Sequence, residues 1–473
     1  MCAAPRTEQV WFDEAMNVLK ISISGVRGII GATLTPELVV NFAQAFGTYL
    51  DSGKILVCRD TRPSGAMVRS AVISGLISTG CEVIDLGICP TPSMQLLLRE
   101  LGAKGGIAIS GGHNPEGWNA LKFVRDDGIY LNALQASELL DVFHQNEYSK
   151  RPWNQLLPVQ KRSDAIDQHL SRLRENLQVD SIRRRRFVVA VDCCNGACSE
   201  ITPRFLEELG CKVVPINDSG SERFPHEPNP TPSNMQQLRA LVKASGADIG
   251  FAHDADGERL GIVTEKALSL SEEYTLAILS LIKLSEKAGV VVTNLSTSRA
   301  IDEIAARYGG SVTRTPVGQA YVAETVKEMG AVVGGEGSGG VILPEIQFSH
   351  DSVAALGKIL EFLALRHCKT SDLAGSVPEF HMVKRNLEFS LSAIFAIIQE
   401  LRTSIESEVQ RGEIDLSDGI KLSRPEGWIH IRDSNTESMI RIIAEAKESV
   451  QAESLANWAQ ARVRMAGARM NDR

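Results

Sequence analysis

Three carboxylates, those of Asp254, Asp256 and Glu258, stand at alternate positions of one short segment between the strand-like runs ADIGFAH and LGIVT. Side chains of a tight loop can converge, and their negative charges then repel one another unless a cation lies between them. Hard oxygen ligands favour magnesium over softer metals. Arg259, which ends this acidic loop (254–259), is suited to bind a phosphate or a carboxylate. The alternative is a solvated acidic turn, because Asp and Gly are common in turns.

A second polar segment, RDSNTES at 432–438, directly follows the strand-like run GWIHI. It combines a guanidinium, hydroxyls and an amide with backbone N–H groups, which are the donors that a dianionic phosphate requires. We therefore predict a phosphate loop here, with a polar hairpin turn as the alternative. The candidate binding residues are Arg432, Ser434, Asn435 and Thr436.

A glycine-rich run, GGEGSGG at 334–340, places Glu336 and Ser338 where almost no neighbouring side chain would hinder a ligand. A carboxylate that accepts hydrogen bonds from two adjacent hydroxyls is a common way to bind a sugar. Taken alone, such a run is more often a glycine-rich turn without function, and a sugar loop is the functional hypothesis.

The segment SGGHNP at 110–115, here termed the reactive loop, follows the strand-like run GGIAI. It would present backbone N–H groups and the imidazole of His113 at the edge of a sheet. His113 and the nearby Lys122 are both able to carry protons if the site shifts their pKa values. A single histidine in a turn is more often structural, which is the alternative for His113.

The composition limits the partners of these loops. A net charge of −8 disfavours nucleic acid and anionic membranes, although it allows a basic cleft for a small anion. No apolar run reaches the roughly 18 residues of a membrane span. The N-terminal segment lacks the apolar core of a signal peptide, so we expect a cytoplasmic protein.

Nine cysteines are scattered through strand-like segments, and Cys193, Cys194 and Cys198 are grouped with a spacing that matches no zinc pattern. We predict that the cysteines are buried free thiols, as is usual for reduced cysteines. A metal site at the grouped cysteines is the alternative.

The elements that position the loops follow from the chain's periodicity. At 473 residues the chain is too long for one core, so three or four domains are expected. Apolar β-rich runs alternate with helical periods over most of it, which indicates α/β domains. Near the C-terminal end, amphipathic helices at 391–410 and 449–465 flank short strands, an α+β pattern. The predicted domains are 1–160 with the reactive loop, 161–266 with the acidic loop, 267–378 with the sugar loop and 379–473 with the phosphate loop.

The four loops, in this order and at these separations, resemble the α-D-phosphohexomutase family over essentially the whole chain. The most similar branch contains phosphoglucosamine mutases, phosphomannomutases and phosphoglucomutases. The resemblance implies four domains around a central cleft, three of them mixed-sheet α/β domains and the last a smaller α+β domain. Further matches are SGVRG at 24–28, RDTRPSG at 59–65, TPVG at 315–318, and Asp192 with Asn195 and Gly196.

The resemblance also implies an isomerase of carbohydrate metabolism that uses Mg²⁺ to move phosphate between carbon 1 and carbon 6 of a hexose. In that family a phosphoserine donates its phosphoryl group, and a hexose 1,6-bisphosphate forms and reorients. Magnesium would be held by Asp254, Asp256 and Glu258, and the sugar hydroxyls by Glu336 and Ser338. The phosphate that does not react would be bound by Arg432, Ser434, Asn435 and Thr436. The transferring phosphate would be surrounded by Arg27, His113, Lys122 and Arg259, with Lys122 or His113 as the proton carrier.

One departure affects the chemistry directly. The family's reactive loop reads Thr-Ala-Ser-His-Asn-Pro, whereas this chain has Gly112 at the position of the phosphoserine. Glycine has no oxygen to phosphorylate, so covalent catalysis is not available there. Two replacements are open: Ser110 after a shift of the loop, or a free hexose 1,6-bisphosphate as the phosphoryl carrier.

Smaller departures lie in the other loops. Glu258 replaces the usual third aspartate and adds one methylene group, and Ser438 replaces a usual proline. Gly340 stands where the family frequently has a histidine, and His350 stands near an expected arginine.

Three functions follow as hypotheses. The first is a mutase, for glucosamine phosphates in particular, which works by an atypical route. The second is a repurposed enzyme, such as a glycosyltransferase or a phosphatase-like enzyme, because a metal and arginines at a sugar 1-phosphate would stabilise phosphate as the leaving group. The third is a non-catalytic phosphosugar-binding protein. In each case the partner is a small phosphosugar, and the chain is expected to be a monomer or a homodimer.

Overall fold

A computed structural model describes residues 19–22, 25–220, 223–406, 413–434 and 438–471, which contain four β-sheets. The first sheet has the strand order β1-β2-β6-β5-β3-β4-β7. Its helix α1 begins after Thr35, whose side chain accepts from the N–H of Leu38, and α4 begins at a capping box of Asn132 and Gln135. The elements are β1 (Lys20–Ser22), β2 (Gly25–Ile29), α1 (Pro36–Tyr49), β3 (Gly53–Arg59), α2 (Gly65–Ser78), β4 (Cys81–Ile88), α3 (Thr91–Glu100), β5 (Gly105–Ile109), β6 (Trp118–Arg125), α4 (Ala133–Gln145), a 3-10 turn (Trp153–Gln155) and β7 (Gln160–Lys161).

The second and third sheets repeat one design. Their strand orders are β11-β10-β8-β9 and β13-β12-β14-β15, and in each sheet three parallel strands end on one antiparallel strand. The second sheet has α5 (Ala165–Glu175), α6 (Val179–Arg185), β8 (Val188–Asp192), α7 (Cys198–Glu208), β9 (Lys212–Ile216), α8 (Gln236–Ser245), β10 (Ile249–His253) and β11 (Leu260–Thr264). The third has α9 (Glu273–Glu286), β12 (Val290–Asn294), α10 (Ala300–Arg307), β13 (Ser311–Thr315), α11 (Gln319–Met329), β14 (Val333–Gly335), β15 (Val341–Ile342), α12 (Ser352–Arg366) and α13 (Thr370–Gly375).

The fourth sheet is antiparallel, in the order β16-β20-β19-β18-β17, and two long helices accompany it. Its edge strand β16 carries Lys384 and Arg385 and has no buried residue. Its sequence therefore lacks the apolar run from which the buried strands were predicted. The elements are β16 (His381–Glu388), α14 (Leu391–Glu406), β17 (Ile414–Asp415), β18 (Ile420–Arg424), β19 (Gly427–Asp433), β20 (Met439–Ala446) and α15 (Ser449–Asn471).

The cores show how the domains are joined. One cluster of buried apolar side chains runs through the first three domains and includes Leu97, Phe205 and Leu356. The fourth domain has a separate core, formed by α14, α15 and its own sheet. Loops of the first three domains are therefore held by a shared core. The fourth domain makes polar contacts with the third, such as the ion pair of Lys384 with Glu272 and the hydrogen bond from the N–H of Arg299 to Glu445.

The predicted fold class is confirmed by these sheets. The eight cysteines within the described residues are free thiols, and six of them are buried. No helix in the described part of the chain is both long enough and apolar enough to cross a membrane.

Candidate functional site

The topology explains where the predicted loops lie. The reactive loop follows β5, the acidic loop follows β10 and the sugar loop begins within β14, each at the carboxyl end of a strand with a parallel neighbour. This is the edge at which open α/β sheets bind ligands. The phosphate loop connects β19 with β20 in the fourth domain.

All four domains contribute to one cleft. It contains two adjoining cavities, which share His113, Arg259, Glu336, Ser338 and Arg432. The smaller cavity also brings together Arg27, Gly112, Lys122 and Glu258 from the predicted set. Four predicted residues do not line these cavities but are buried: Ser110, Asp254, Asp256 and Ser434. Asn435 and Thr436 lie outside the described residues.

The smaller cavity is strongly cationic. Its walls contain Arg27, Lys122, Arg259, Arg432 and Arg441. Burial, followed by the charge of Arg259, lowers the pKa of Arg27 to about 10. Positive groups that repel one another in a buried space favour the entry of an anion.

The same positive charges shift the pKa of His113. Burial and then the charges of Arg259 and Arg27 hold the pKa of His113 well below 6.5. Its imidazole is therefore neutral at neutral pH, and a neutral imidazole can accept a proton.

A buried arginine shapes the reactive loop. Arg62 pairs through Nε with Asp60 Oδ2 at 2.9 Å, and both side chains are fully covered. Its terminal nitrogens donate to the carbonyl oxygens of Gly112, Asn114 and Pro115, each at 2.7 Å. A planar guanidinium donates in fixed directions, so these three bonds define the path of the loop.

Gly112 keeps open the space of a side chain. Its backbone is in the left-handed region, with φ of 55°. The nearest atoms to a Cβ placed on it would be Lys122 Nζ at 3.6 Å and Asp256 Oδ1 at 3.8 Å, which are ordinary van der Waals distances. A side chain here would lie between Lys122 and the acidic loop.

Ser110 lies beneath the reactive loop and is 1% exposed. Its hydroxyl donates to Asp60 Oδ2 at 2.6 Å and accepts from the N–H of Gly112 at 2.9 Å. A covered hydroxyl with partners on both sides must lose these bonds before it can reach a substrate. The geometry thus argues against Ser110 as the replacement nucleophile and indicates a structural role.

Two helix N-termini hold the acidic loop. At the start of α3, Thr91 donates from its N–H to the carbonyl of Asp256 at 2.9 Å and from its hydroxyl to the Asp256 carboxylate at 3.0 Å. At the start of α12, Ser352 donates from its N–H and its hydroxyl to the carbonyl of Gly257, at 3.0 and 2.7 Å. Helix N-termini carry partial positive charge, so both stabilise an acidic segment.

Lys122 bridges two carboxylates of the acidic loop. Its Nζ is 2.6 Å from both Asp256 Oδ2 and Glu258 Oε2. Burial alone would lower the pKa of Lys122, but the two carboxylates raise it above its ordinary value. Burial would likewise raise the pKa of Asp256, which Lys122 instead lowers. Lys122 is therefore charged at neutral pH and can donate a proton but not accept one.

Two of the three predicted magnesium ligands fit a cation. Burial and then the charges of Asp256 and Glu258 raise the pKa of Asp254 to about 8. Asp256 Oδ1 is buried and has no hydrogen-bond partner among the described residues. A divalent cation beside these two carboxylates would stabilise both.

Glu258 stays a predicted ligand, and in this structure both of its carboxylate oxygens have partners in the first domain. Its Oε2 binds Lys122, and its Oε1 accepts from the hydroxyl of Tyr130 at 2.6 Å. Across the described ranges, no three His, Cys, Asp or Glu side chains are grouped to hold a metal ion.

In the sugar loop, the carboxylate of Glu336 is held through one of its two oxygens. Glu336 Oε1 accepts from Asn294 Nδ2 at 2.7 Å and from the N–H of Gly318 at 3.0 Å. Both donors bind the same oxygen, so they fix the carboxylate at the wall of the cleft. Ser338 lines the same two cavities.

Asp418 connects the phosphate loop to the third domain. It pairs with Arg432 Nε at 3.2 Å and accepts from the N–H of Val317 at 2.8 Å. Arg441, on β20, lines both cavities. Sequence analysis did not predict Arg441, because it lies inside the strand MIRIIAEA and not in a loop.

Known families match the chain along its length. Models of the phosphoglucomutase/phosphomannomutase alpha/beta/alpha domains I, II and III match residues 19–150, 167–267 and 271–380, and the model of the C-terminal domain matches residues 394–458. The chain belongs to the phosphoglucomutase/phosphomannomutase family. The predicted membership of the α-D-phosphohexomutases is thereby confirmed, and these enzymes are isomerases of carbohydrate metabolism.

Individual relatives are similar over nearly their full length. A phosphoglucomutase/phosphomannomutase of Thermococcus kodakarensis is 37% identical over 437 residues, which are 90% of this chain and 94% of that protein. A probable phosphoglucosamine mutase of Methanopyrus kandleri is 34% identical over 435 residues, 91% of this chain and 95% of that protein. A solved family protein of Burkholderia thailandensis is 25% identical with a TM-score of 0.81, covering 95% of this chain and 98% of that one.

Proposed function

We propose that this phosphohexomutase family member moves a phosphoryl group between carbon 1 and carbon 6 of a hexose or hexosamine phosphate without a phosphoserine of its own. One observation carries the proposal: the reactive, acidic and sugar loops share a cleft with Arg432, and five cationic side chains line it. A phosphohexose requires cations for its phosphates and a carboxylate for its hydroxyls, and the cleft supplies both.

The residues then have distinct tasks. Arg432 and Arg441 bind the phosphate that does not react, and Glu336 and Ser338 hold ring hydroxyls. Arg27 and Arg259 stabilise the charge on the transferring phosphoryl group. Magnesium held by Asp254 and Asp256 would supply further charge stabilisation to that group.

Two residues divide the proton transfers. Neutral His113 accepts the proton of the attacking hydroxyl, which its lowered pKa allows at neutral pH. Lys122, which the two carboxylates keep protonated, is the group placed to donate a proton to the oxygen that leaves phosphorus. The two pKa directions set the protonation state from which each residue starts, with His113 neutral and Lys122 charged.

The phosphoryl carrier in this proposal is a free hexose 1,6-bisphosphate. Its P–O bond at carbon 1 breaks, and a new P–O bond forms to oxygen 6 of a hexose 1-phosphate. The proton of that hydroxyl passes to His113, and the oxygen on carbon 1 takes a proton from Lys122. The products are a hexose 6-phosphate and a new 1,6-bisphosphate, so the carrier is regenerated. The adjoining second cavity is the candidate space for the second sugar.

A second candidate function rests on Gly112 and on the buried position of Ser110. With no nucleophilic side chain at position 112, cleavage at the carbon-1 phosphate needs only water or another hydroxyl as the acceptor. In a glycosyltransferase the C1–O bond would break, and the same cations would stabilise the departing phosphate. In a phosphatase-like enzyme the P–O bond would break, water would take the phosphoryl group, and the cations would stabilise the charge on that group.

Phosphorus NMR separates these functions. The protein is incubated with magnesium and hexose or hexosamine 1-phosphates, with and without the matching 1,6-bisphosphate. We expect the 6-phosphate to appear only when the bisphosphate is added, and Lys122→Met to abolish this conversion. Free phosphate or a new glycoside would support the second function, and a bound but unchanged ligand would refute both.

A further inference from the structure

His350 occupies the wall of the proposed sugar site. It is 3% exposed and directly precedes Asp351, which caps the N-terminus of α12. Its backbone N–H donates to the side-chain oxygen of Gln319 at 2.9 Å. His350 lines the smaller cavity together with Glu336 and Ser338.

The imidazole fills the space above Gly340 in the sugar loop. A Cβ on Gly340 would lie 2.7 Å from Cγ of His350 and nearer still to Nδ1 and Cε1. Real Cβ atoms do not approach other atoms this closely, so residue 340 must lack a side chain for the ring to enter. Gly340 and His350 therefore act as a pair that brings an imidazole to this point from a different backbone position.

The ring has an unused polar atom. His350 Nε2 is buried and has no hydrogen-bond partner within the described residues. Burial lowers the pKa of His350, against the opposing charge of Glu336. A neutral imidazole has one donor and one acceptor nitrogen, and buried polar atoms of this kind are nearly always paired.

We propose that His350 Nε2 hydrogen-bonds a ring hydroxyl of the sugar, adjacent to the hydroxyls held by Glu336 and Ser338, and so contributes to the choice among hexose phosphates. The inference rests on the proposed function only in that the ligand is a phosphohexose. A neutral nitrogen suits a hydroxyl, which can donate or accept, better than it suits a second phosphate.

Calorimetric titration of hexose 6-phosphates tests the proposal. Wild type, His350→Phe and His350→Gln are compared for binding of glucose 6-phosphate and its 2-deoxy, 3-deoxy and 4-deoxy analogues. The Phe variant retains ring volume without a hydrogen bond, and we expect it to bind glucose 6-phosphate about five- to tenfold more weakly. The Gln variant keeps a donor and an acceptor and should recover part of the loss.

The decisive readout is the pattern over the analogues. For the one deoxy sugar that lacks the contacted hydroxyl, wild type and His350→Phe should bind equally. An equal loss for all four sugars, or no loss for any, would overturn the inference, and unchanged binding of inorganic phosphate confirms that the variants are folded. If the wild type binds these sugars but does not isomerise them, the proposed function fails while this inference stands. If it binds none of them, both fail.

Discussion

Restoring an oxygen at the centre of the reactive loop tests the proposed mechanism most directly. In Gly112→Ser, the new Cβ would lie 3.6 Å from Lys122 Nζ and 3.8 Å from Asp256 Oδ1, so the Cβ itself displaces no neighbouring atom. The cost is conformational, because a φ of 55° is left-handed. Side chains in that region cost roughly 1–2 kcal/mol, and we expect the free energy of unfolding to fall by this amount.

The new hydroxyl would face the charged ammonium of Lys122 and stand beside the acidic loop. After incubation with a hexose 1,6-bisphosphate and magnesium, intact mass measurement should show one added phosphoryl group on the Gly112→Ser variant. Phosphorus NMR should then show conversion by the variant with only a priming amount of bisphosphate. For the wild type, the rate of conversion should rise with the concentration of bisphosphate.

Gly112→Ala is the matched control, since it has the same backbone strain and no hydroxyl. It should lose the same stability as Gly112→Ser and remain without phosphate. If Gly112→Ser is folded and still takes up no phosphoryl group, the argument that the site retains the geometry for phosphoryl transfer is refuted. A much larger loss of stability than in the alanine variant would refute the steric reasoning.

The remaining predictions concern the supports of the site. Arg62→Met leaves three carbonyls and a carboxylate buried without the guanidinium that donates to them, so urea denaturation should show a free energy of unfolding lower by about 3–5 kcal/mol. The control Arg469→Met breaks an exposed ion pair and should lower it by about 0–1 kcal/mol. Because the pKa of His113 is lowered by burial, the unfolded chain takes up a proton below about pH 6.5 while the folded protein does not. The free energy of unfolding should therefore decrease as the pH is lowered below this value, and His113→Gln should make this decrease smaller. Gly340→Ala should destabilise the wild type through contact with the imidazole, by about 1–3 kcal/mol, but cost much less in a His350→Ala background; equal costs in both backgrounds would contradict the packing argument.

The sequence alone was sufficient for features that are encoded locally. Buried strands such as β3 and β5 are short apolar runs, and each loop of the site follows such a run with a distinct set of functional groups. The order of the loops indicated the family and the four-domain fold. The lack of a side-chain oxygen at Gly112 could also be read from the sequence, because glycine has none in any conformation.

Other features depended on partners far apart in the chain. Arg62 binds the reactive loop 50 to 53 residues away, and Lys122 meets the acidic loop 134 to 136 residues away. No local pattern of Lys122 indicates that two carboxylates will hold it charged. The strand β16 was missed because an exposed edge strand carries charges where an apolar alternation would otherwise reveal it.

The sequence thus determines which functional groups the site contains. Their protonation states and positions depend on the tertiary structure. Burial and neighbouring charge make His113 neutral and Lys122 charged, and they raise the pKa of Asp254. Packing gives both carboxylate oxygens of Glu258 partners in the first domain and places His350 over Gly340. These outcomes depend on distances of a few ångströms between residues from different domains, which only the folded chain brings together.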